Sequence, residues 1–110
     1  MPAINEQVMK MSPERSLDAL LQQLRALLPE FRERYGVDTL EVFGSRVRED
    51  VGEESDLDLL VSFSRTPDLL TFISLENELA ERLGVRVDLV MRRALKPRLR
   101  DRILGEAIRV

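Results

Sequence analysis

Two short motifs in this chain lie a fixed distance apart: Gly44-Ser45, then ten residues, then Asp56-Leu57-Asp58. The segments carrying them read as strands. Leu40-Glu41-Val42-Phe43 alternates and runs into the Gly-Ser pair, and the apolar run Leu59-Leu60-Val61 follows the second aspartate. The chain is therefore expected to leave one strand at a Gly-Ser turn, cross over through a short helix and loop, and return as a second strand. Side chains two apart on a strand share a face. Asp56 and Asp58 are then neighbours aimed one way, with Leu57, Leu59 and Val61 aimed the other.

Two carboxylates that close repel each other unless a cation lies between them. A ligand set made only of oxygens suits a hard cation such as Mg²⁺, which commonly shares its shell with substrate phosphates. The Gly-Ser turn offers what a phosphate needs. Gly44 allows close backbone approach, and the N–H groups opening the next helix point at an anion. The Ser45 hydroxyl and Arg48, one helical turn on, add donors. Either half alone is ordinary, a turn or a solvated strand edge. Four fixed residues at fixed spacing recur by chance in about one in a thousand chains of this length. Together they describe a site for a metal-bound nucleoside triphosphate.

Composition narrows the chemistry further. The 110 residues contain no histidine and no cysteine, so Ser-His triads, thiolate nucleophiles, disulfides and imidazole or thiolate metal sites are excluded. Acid–base and metal chemistry must use carboxylates. With 44% apolar and 34% charged residues, the chain reads as one globular domain. No apolar run of about eighteen residues exists, and the N-terminus lacks the shape of a signal peptide. No membrane association and a cytoplasmic setting are expected. A net charge of −3 gives no global pull toward nucleic acid, so direct nucleic-acid binding is not expected.

In chain order, residues 1–12 read as a flexible arm and residues 13–110 as a single domain. Ser12-Pro13 resembles a helix start, and Leu17, Leu20, Leu24, Leu28 and Phe31 follow as one apolar stripe. Pro29 is expected to kink or split this helix, and Gly36 to end it. Strands are expected at about residues 39–43, 56–63 and 85–90. A helix opening near Asp68 has Leu69, Phe72, Ile73, Leu79 and Leu83 as its inward positions and stops at Gly84. A last helix opens at Lys96-Pro97, with Leu99, Ile103, Leu104 and Ala107 as apolar positions. The fold class is α/β (α+β): a small mixed sheet with helices packed on one face and the acidic residues on the other, open face.

Three further features bear on function. Asp88 stands within the apolar run Val85 to Val90, where an unpaired charge is costly; it either pairs with an arginine such as Arg86 or belongs to the site. Arg92, Arg93, Lys96, Arg98, Arg100 and Arg102 form a basic tract, either a solvated helix face or a surface for an acidic partner, a nucleotide phosphate or RNA. No aromatic residues interleave with it, so it is no base-stacking platform. Glu49, Asp50, Glu53 and Glu54 make an acidic loop consistent with simple solvation.

The stretch GSRVREDVGEESDLDLLV resembles the Gly-Ser-(ten)-Asp-x-Asp signature of the DNA polymerase β-like nucleotidyltransferase superfamily. Its short length is similar to the minimal nucleotidyltransferase (MNT) branch, whose members are antitoxin partners of HEPN-domain toxins. Glu49 departs from the glycine that many relatives carry after the arginine. The resemblance implies the nucleotidyltransferase fold, ATP as substrate with its phosphates at Gly44, Ser45 and Arg48, and two Mg²⁺ ions held by Asp56, Asp58 and a third carboxylate, Asp88. It implies AMP transfer to a hydroxyl, in particular a tyrosine, of a HEPN toxin, alone or in a hetero-oligomer with it; a homo-oligomer is a further state left open. Two other functions stay open at this point: an antitoxin that covers the toxin's active site without catalysis, and a nucleotidyltransferase acting on a small molecule. The latter usually needs a second domain to hold its acceptor, and the chain has no length for one.

Overall fold

A computed structural model describes residues 16–48 and 56–110. The expected arm, the Ser12-Pro13 start and the acidic loop lie outside the described residues. The first described helix, α1, spans Leu17–Tyr35 and is capped by Ser16, whose Oγ accepts the Ala19 N–H at 3.2 Å. Ser16 holds an extended backbone (φ −68°, ψ 158°) that no helix passes through, which sets the start of α1 at Leu17. Pro29 neither splits nor ends it. An internal proline costs about 3 kcal/mol, but Leu24, Leu28 and Phe31 on either side of it are buried in the core, and that packing holds the helix in one piece. Gly36, at φ 72°, closes it by donating its N–H to the last-turn carbonyls.

Strand β1 (Val37–Phe43) leads to the one-turn helix α2 (Ser45–Arg48), and β2 (Leu57–Phe63) returns antiparallel to it. Helix α3 (Leu69–Leu83) crosses to β3 (Val87–Met91), which lies parallel to β2. A short 3₁₀ turn at Arg92–Ala94 precedes helix α4 (Pro97–Glu106). A fourth strand, β4 (Ile108–Arg109), was not expected. It adds antiparallel to β1, with Val110 donating to the Leu40 carbonyl at 3.0 Å, so Ala107 ends the helix rather than packing within it. The sheet order is β3-β2-β1-β4. Strand β3 begins at Val87 rather than Val85, although Val85 and Leu89 are both buried.

Alternation along the strands divides the sheet as the sequence requires. Leu40, Val42, Leu57, Leu59 and Val61 join Leu20, Leu24 and Phe31 of α1 and Leu75, Leu79 and Leu83 of α3 in one core. Leu69 and Ile73, expected to face inward, are instead exposed together with Leu70. Leu60 points to the second face and is nonetheless fully buried, outside the main core. The two long helices thus occupy one face, and the short α4 covers part of the other.

A polar clamp joins α1 to α3. Glu30 binds Arg34 at 2.8 Å and Arg82 at 2.9 Å, and Glu78 binds Arg34, Arg82 and the Tyr35 hydroxyl. At the sheet edge the Glu76 carboxylate accepts the Leu89 N–H at 2.9 Å, removing a donor that another strand could use. No described helix is long and apolar enough to cross a membrane.

Candidate active site

The β1–β2 ladder assembles the motif. Phe43 is the cross-strand partner of Asp58, so Gly44 lies just beyond the end of the paired region, beside the carboxylate. Gly44 takes φ +87°, and a Cβ built there would stand 2.1 Å from Asp58 Oδ2 and 3.0 Å from Cγ. Any side chain would strain the backbone and displace the aspartate. The Val47 N–H returns to the Gly44 carbonyl at 3.1 Å, and Ser45 opens α2. Gly44, Ser45 and Asp58 line one cleft of about 330 Å³, completed by Phe43 and by Leu99, Arg102 and Ile103 of α4.

Each expected residue has a defined place. Asp58 is half-buried within that cleft. Asp88 is its register partner on β3, so the two aspartates share a face on adjacent strands. Asp88 is exposed and forms no ion pair among the described residues. The burial that would make its charge costly is absent. The Arg86 partner considered for it belongs to Asp56 instead, at 3.2 Å between two well-exposed side chains. Asp56 precedes β2 and lies level with Arg86, because the Leu57 N–H bonds the Arg86 carbonyl at 2.8 Å. Arg48 ends α2, and its side chain lies outside the described residues.

Among the described residues no three acidic side chains are gathered closely enough to enclose a metal ion. The donor chemistry nevertheless fits a hard cation: carboxylate oxygens on adjacent strands, with no imidazole or thiolate ligand in the chain. Asp58 and Asp88, register partners on one face, are the carboxylates that could hold such an ion, while Asp56 is paired with Arg86.

Three contributions were not read from the sequence. Leu99 and Ile103 were read as apolar positions of the last helix and Arg102 as part of a basic tract; all three line the carboxylate cleft, because α4 lies on the second face. Arg46 is 4% exposed. Glu41 is 9% exposed, with Oε1 3.6 Å from Arg92 Nε and no hydrogen-bond partner. A charge at the centre of the alternating Leu40-Glu41-Val42-Phe43 was the available signal, since it must face the acidic side of the sheet.

A small mixed sheet with a Gly-Ser turn beside a carboxylate defines a nucleotide-transferring enzyme fold. The chain belongs to the nucleotidyltransferase domain family, which it matches over residues 24–110, and it is a nucleotidyltransferase. It is 45% identical over 95 residues to the protein adenylyltransferase MntA of Thermococcus cleftensis, covering 86% of this chain and 96% of that one. A solved structure described as a minimal nucleotidyltransferase superposes with a TM-score of 0.71 at 44% identity, covering 84% of this chain and 94% of its own. The same fold, at a TM-score of 0.60 and 21% identity, occurs in the complex of a tri-AMPylated HEPN toxin with MNT antitoxin from Shewanella oneidensis, covering 82% of this chain and 70% of that one.

Proposed function

We propose that this chain transfers AMP from ATP to a tyrosine hydroxyl of a HEPN toxin and thereby neutralises it. The observation carrying the reading is the close approach of Gly44 to Asp58, with the Gly-Ser turn and a carboxylate lining one cleft. The name of the Thermococcus relative supports adenylyl transfer to protein, and the Shewanella complex supports a HEPN toxin as acceptor.

In this reading the backbone at Gly44 and Ser45, the Ser45 hydroxyl and Arg48 hold the triphosphate. Asp56, Asp58 and Asp88 hold Mg²⁺, which when bound supplies neutralising charge between carboxylates and phosphates. The acceptor oxygen attacks the α-phosphorus, the bond to the bridging oxygen breaks, and pyrophosphate leaves on the opposite side. Asp88, exposed beside Asp58, accepts the proton of the attacking hydroxyl. Among the described residues nothing folds over the cleft as an acceptor domain, so docking of the toxin orients the nucleophile.

The test is the intact mass of the toxin after incubation with this protein and Mg²⁺–ATP. Whole AMP additions are expected with the native protein and none with the Asp56→Asn, Asp58→Asn double variant. One observation favours a second reading, a non-catalytic antitoxin: Asp56 is tied to Arg86 rather than gathered with the other two carboxylates. That reading requires an unmodified toxin inhibited equally by the native protein and the double variant.

A further inference from the structure

A second cleft, of about 220 Å³, opens at the other end of the sheet from the carboxylates. Ser62 lines it, four residues along β2 from Asp58 and so about 13 Å away at the rise of a strand. Three guanidinium groups border it: Arg92 and Arg93 of the 3₁₀ turn and Arg100 of α4. Thr66 adds a hydroxyl, and Phe63 and Met91 give it an apolar wall. Among the described residues no acidic one lines it.

The charge balance is specific. Arg93 and Arg100 are exposed and have no carboxylate partner among the described residues. Arg92 faces Glu41 with Nε 3.6 Å from Oε1, longer than a hydrogen bond. Three cations against one carboxylate leave the cleft at +2 (3 − 1) in a chain whose net charge is −3. Like charges converging on a concavity this small repel unless an anion joins them. A partner's carboxylate brings one negative charge and two oxygens. A phosphate monoester brings nearly two charges at neutral pH and three oxygens arranged for guanidinium forks.

We infer that this cleft is a second anion site, distinct from the Gly44-Ser45 cradle, and that it binds a dianionic phosphate monoester such as the terminal phosphate of a nucleoside monophosphate. The cleft admits the phosphate and leaves the rest of the ligand outside. Arg100 lies between Leu99 and Arg102 in sequence, so one helix borders both sites.

The experiment is an NMR titration of the full chain in the absence of magnesium, following the amides of Ser62, Thr66, Arg93 and Arg100 and, separately, those of Gly44 and Ser45. The probes are AMP, inorganic phosphate, and a short single-stranded RNA lacking terminal phosphates. AMP and inorganic phosphate are expected to give saturable shifts at Ser62 and Thr66. The Arg93→Gln, Arg100→Gln double variant should weaken AMP by at least about tenfold, or 1.4 kcal/mol. Asp58→Asn should leave these shifts intact, so the result is independent of the transfer reaction. Shifts confined to Gly44 and Ser45, saturation by the RNA but not by AMP, or undiminished affinity in the double variant would each overturn the assignment.

Discussion

The carboxylate of Asp58 packs against the Cα of Gly44 so closely that a methyl group on residue 44 would lie 2.1 Å from Oδ2. Gly84 provides the natural control: it also has positive φ, +71°, yet a Cβ there would meet nothing within 4 Å. The left-handed backbone alone costs a non-glycine residue about 1–3 kcal/mol. Gly84→Ala should lose only that amount, whereas Gly44→Ala should lose more and also abolish nucleotide transfer. Adding Asp58→Ala to Gly44→Ala should recover the excess, because it removes the atom that clashes. Denaturant melts of these three variants, of Asp58→Ala alone and of the native protein give the coupling directly.

Asp88 is exposed, pairs with no described cation, and stands beside Asp58. Asp88→Asn should therefore change stability by no more than about 0.5 kcal/mol while lowering single-turnover transfer sharply. A large drop in melting temperature with normal turnover would show a structural role instead.

The Asp56–Arg86 pair lies between two exposed side chains, a class of contact worth about 0–1 kcal/mol. If Asp56 must leave Arg86 to ligate magnesium, Arg86→Ala removes the competitor. The expected result is an unchanged melting temperature and a lower Mg²⁺ concentration for half-maximal transfer. A higher magnesium requirement would mean that Arg86 assists the site.

The α1–α3 clamp makes stability depend on pH at both extremes. Hydrogen bonds from Arg82 and Arg34 hold the Glu30 carboxyl below its ordinary value of 4.5, and those from Arg34 and Tyr35 do the same for Glu78. Because these folded-state values are lowered, the stabilisation is complete above the ordinary value and fades as pH falls through the lower folded value. Tyr35 is raised above its ordinary 10.0 by burial and by donating to Glu78 at 2.7 Å, so its share is present below that value and fades at higher pH. Glu78→Gln should flatten the acid limb of a melting-temperature profile, and Tyr35→Phe the alkaline limb. Both effects should be small, since the ion-paired groups remain partly open to solvent.

The parts legible in the sequence were those set by periodicity and by the motif. The stripe from Leu20 to Phe31 and the alternation of Leu57, Leu59 and Val61 emerge as the core. The Gly-Ser and Asp-x-Asp halves meet as the spacing implied, at Gly44 and Asp58. What escaped depended on long-range pairing. Strand β4 has two residues, too few to show a pattern, and exists because the edge of β1 accepts it. The exchange of Arg86 from Asp88 to Asp56 follows from the β2–β3 register, which no local signal encodes. Leu69 and Ile73 have core spacing but are exposed, and Leu99 and Ile103 have it but line the cleft.

The direct pairing of Phe43 with Asp58 has a consequence for kinship. What keeps the turn and the carboxylate together is a rung of the β1–β2 ladder, so the number of residues between the two motif halves does not itself set their separation. Insertions or deletions within the crossover preserve the site as long as that rung is kept, while a slip of a single residue in the ladder turns Asp58 to the opposite side of the sheet and dismantles it. Distant members of the lineage are then better recognised by which residues face each other across the two strands than by the length of the gap between them.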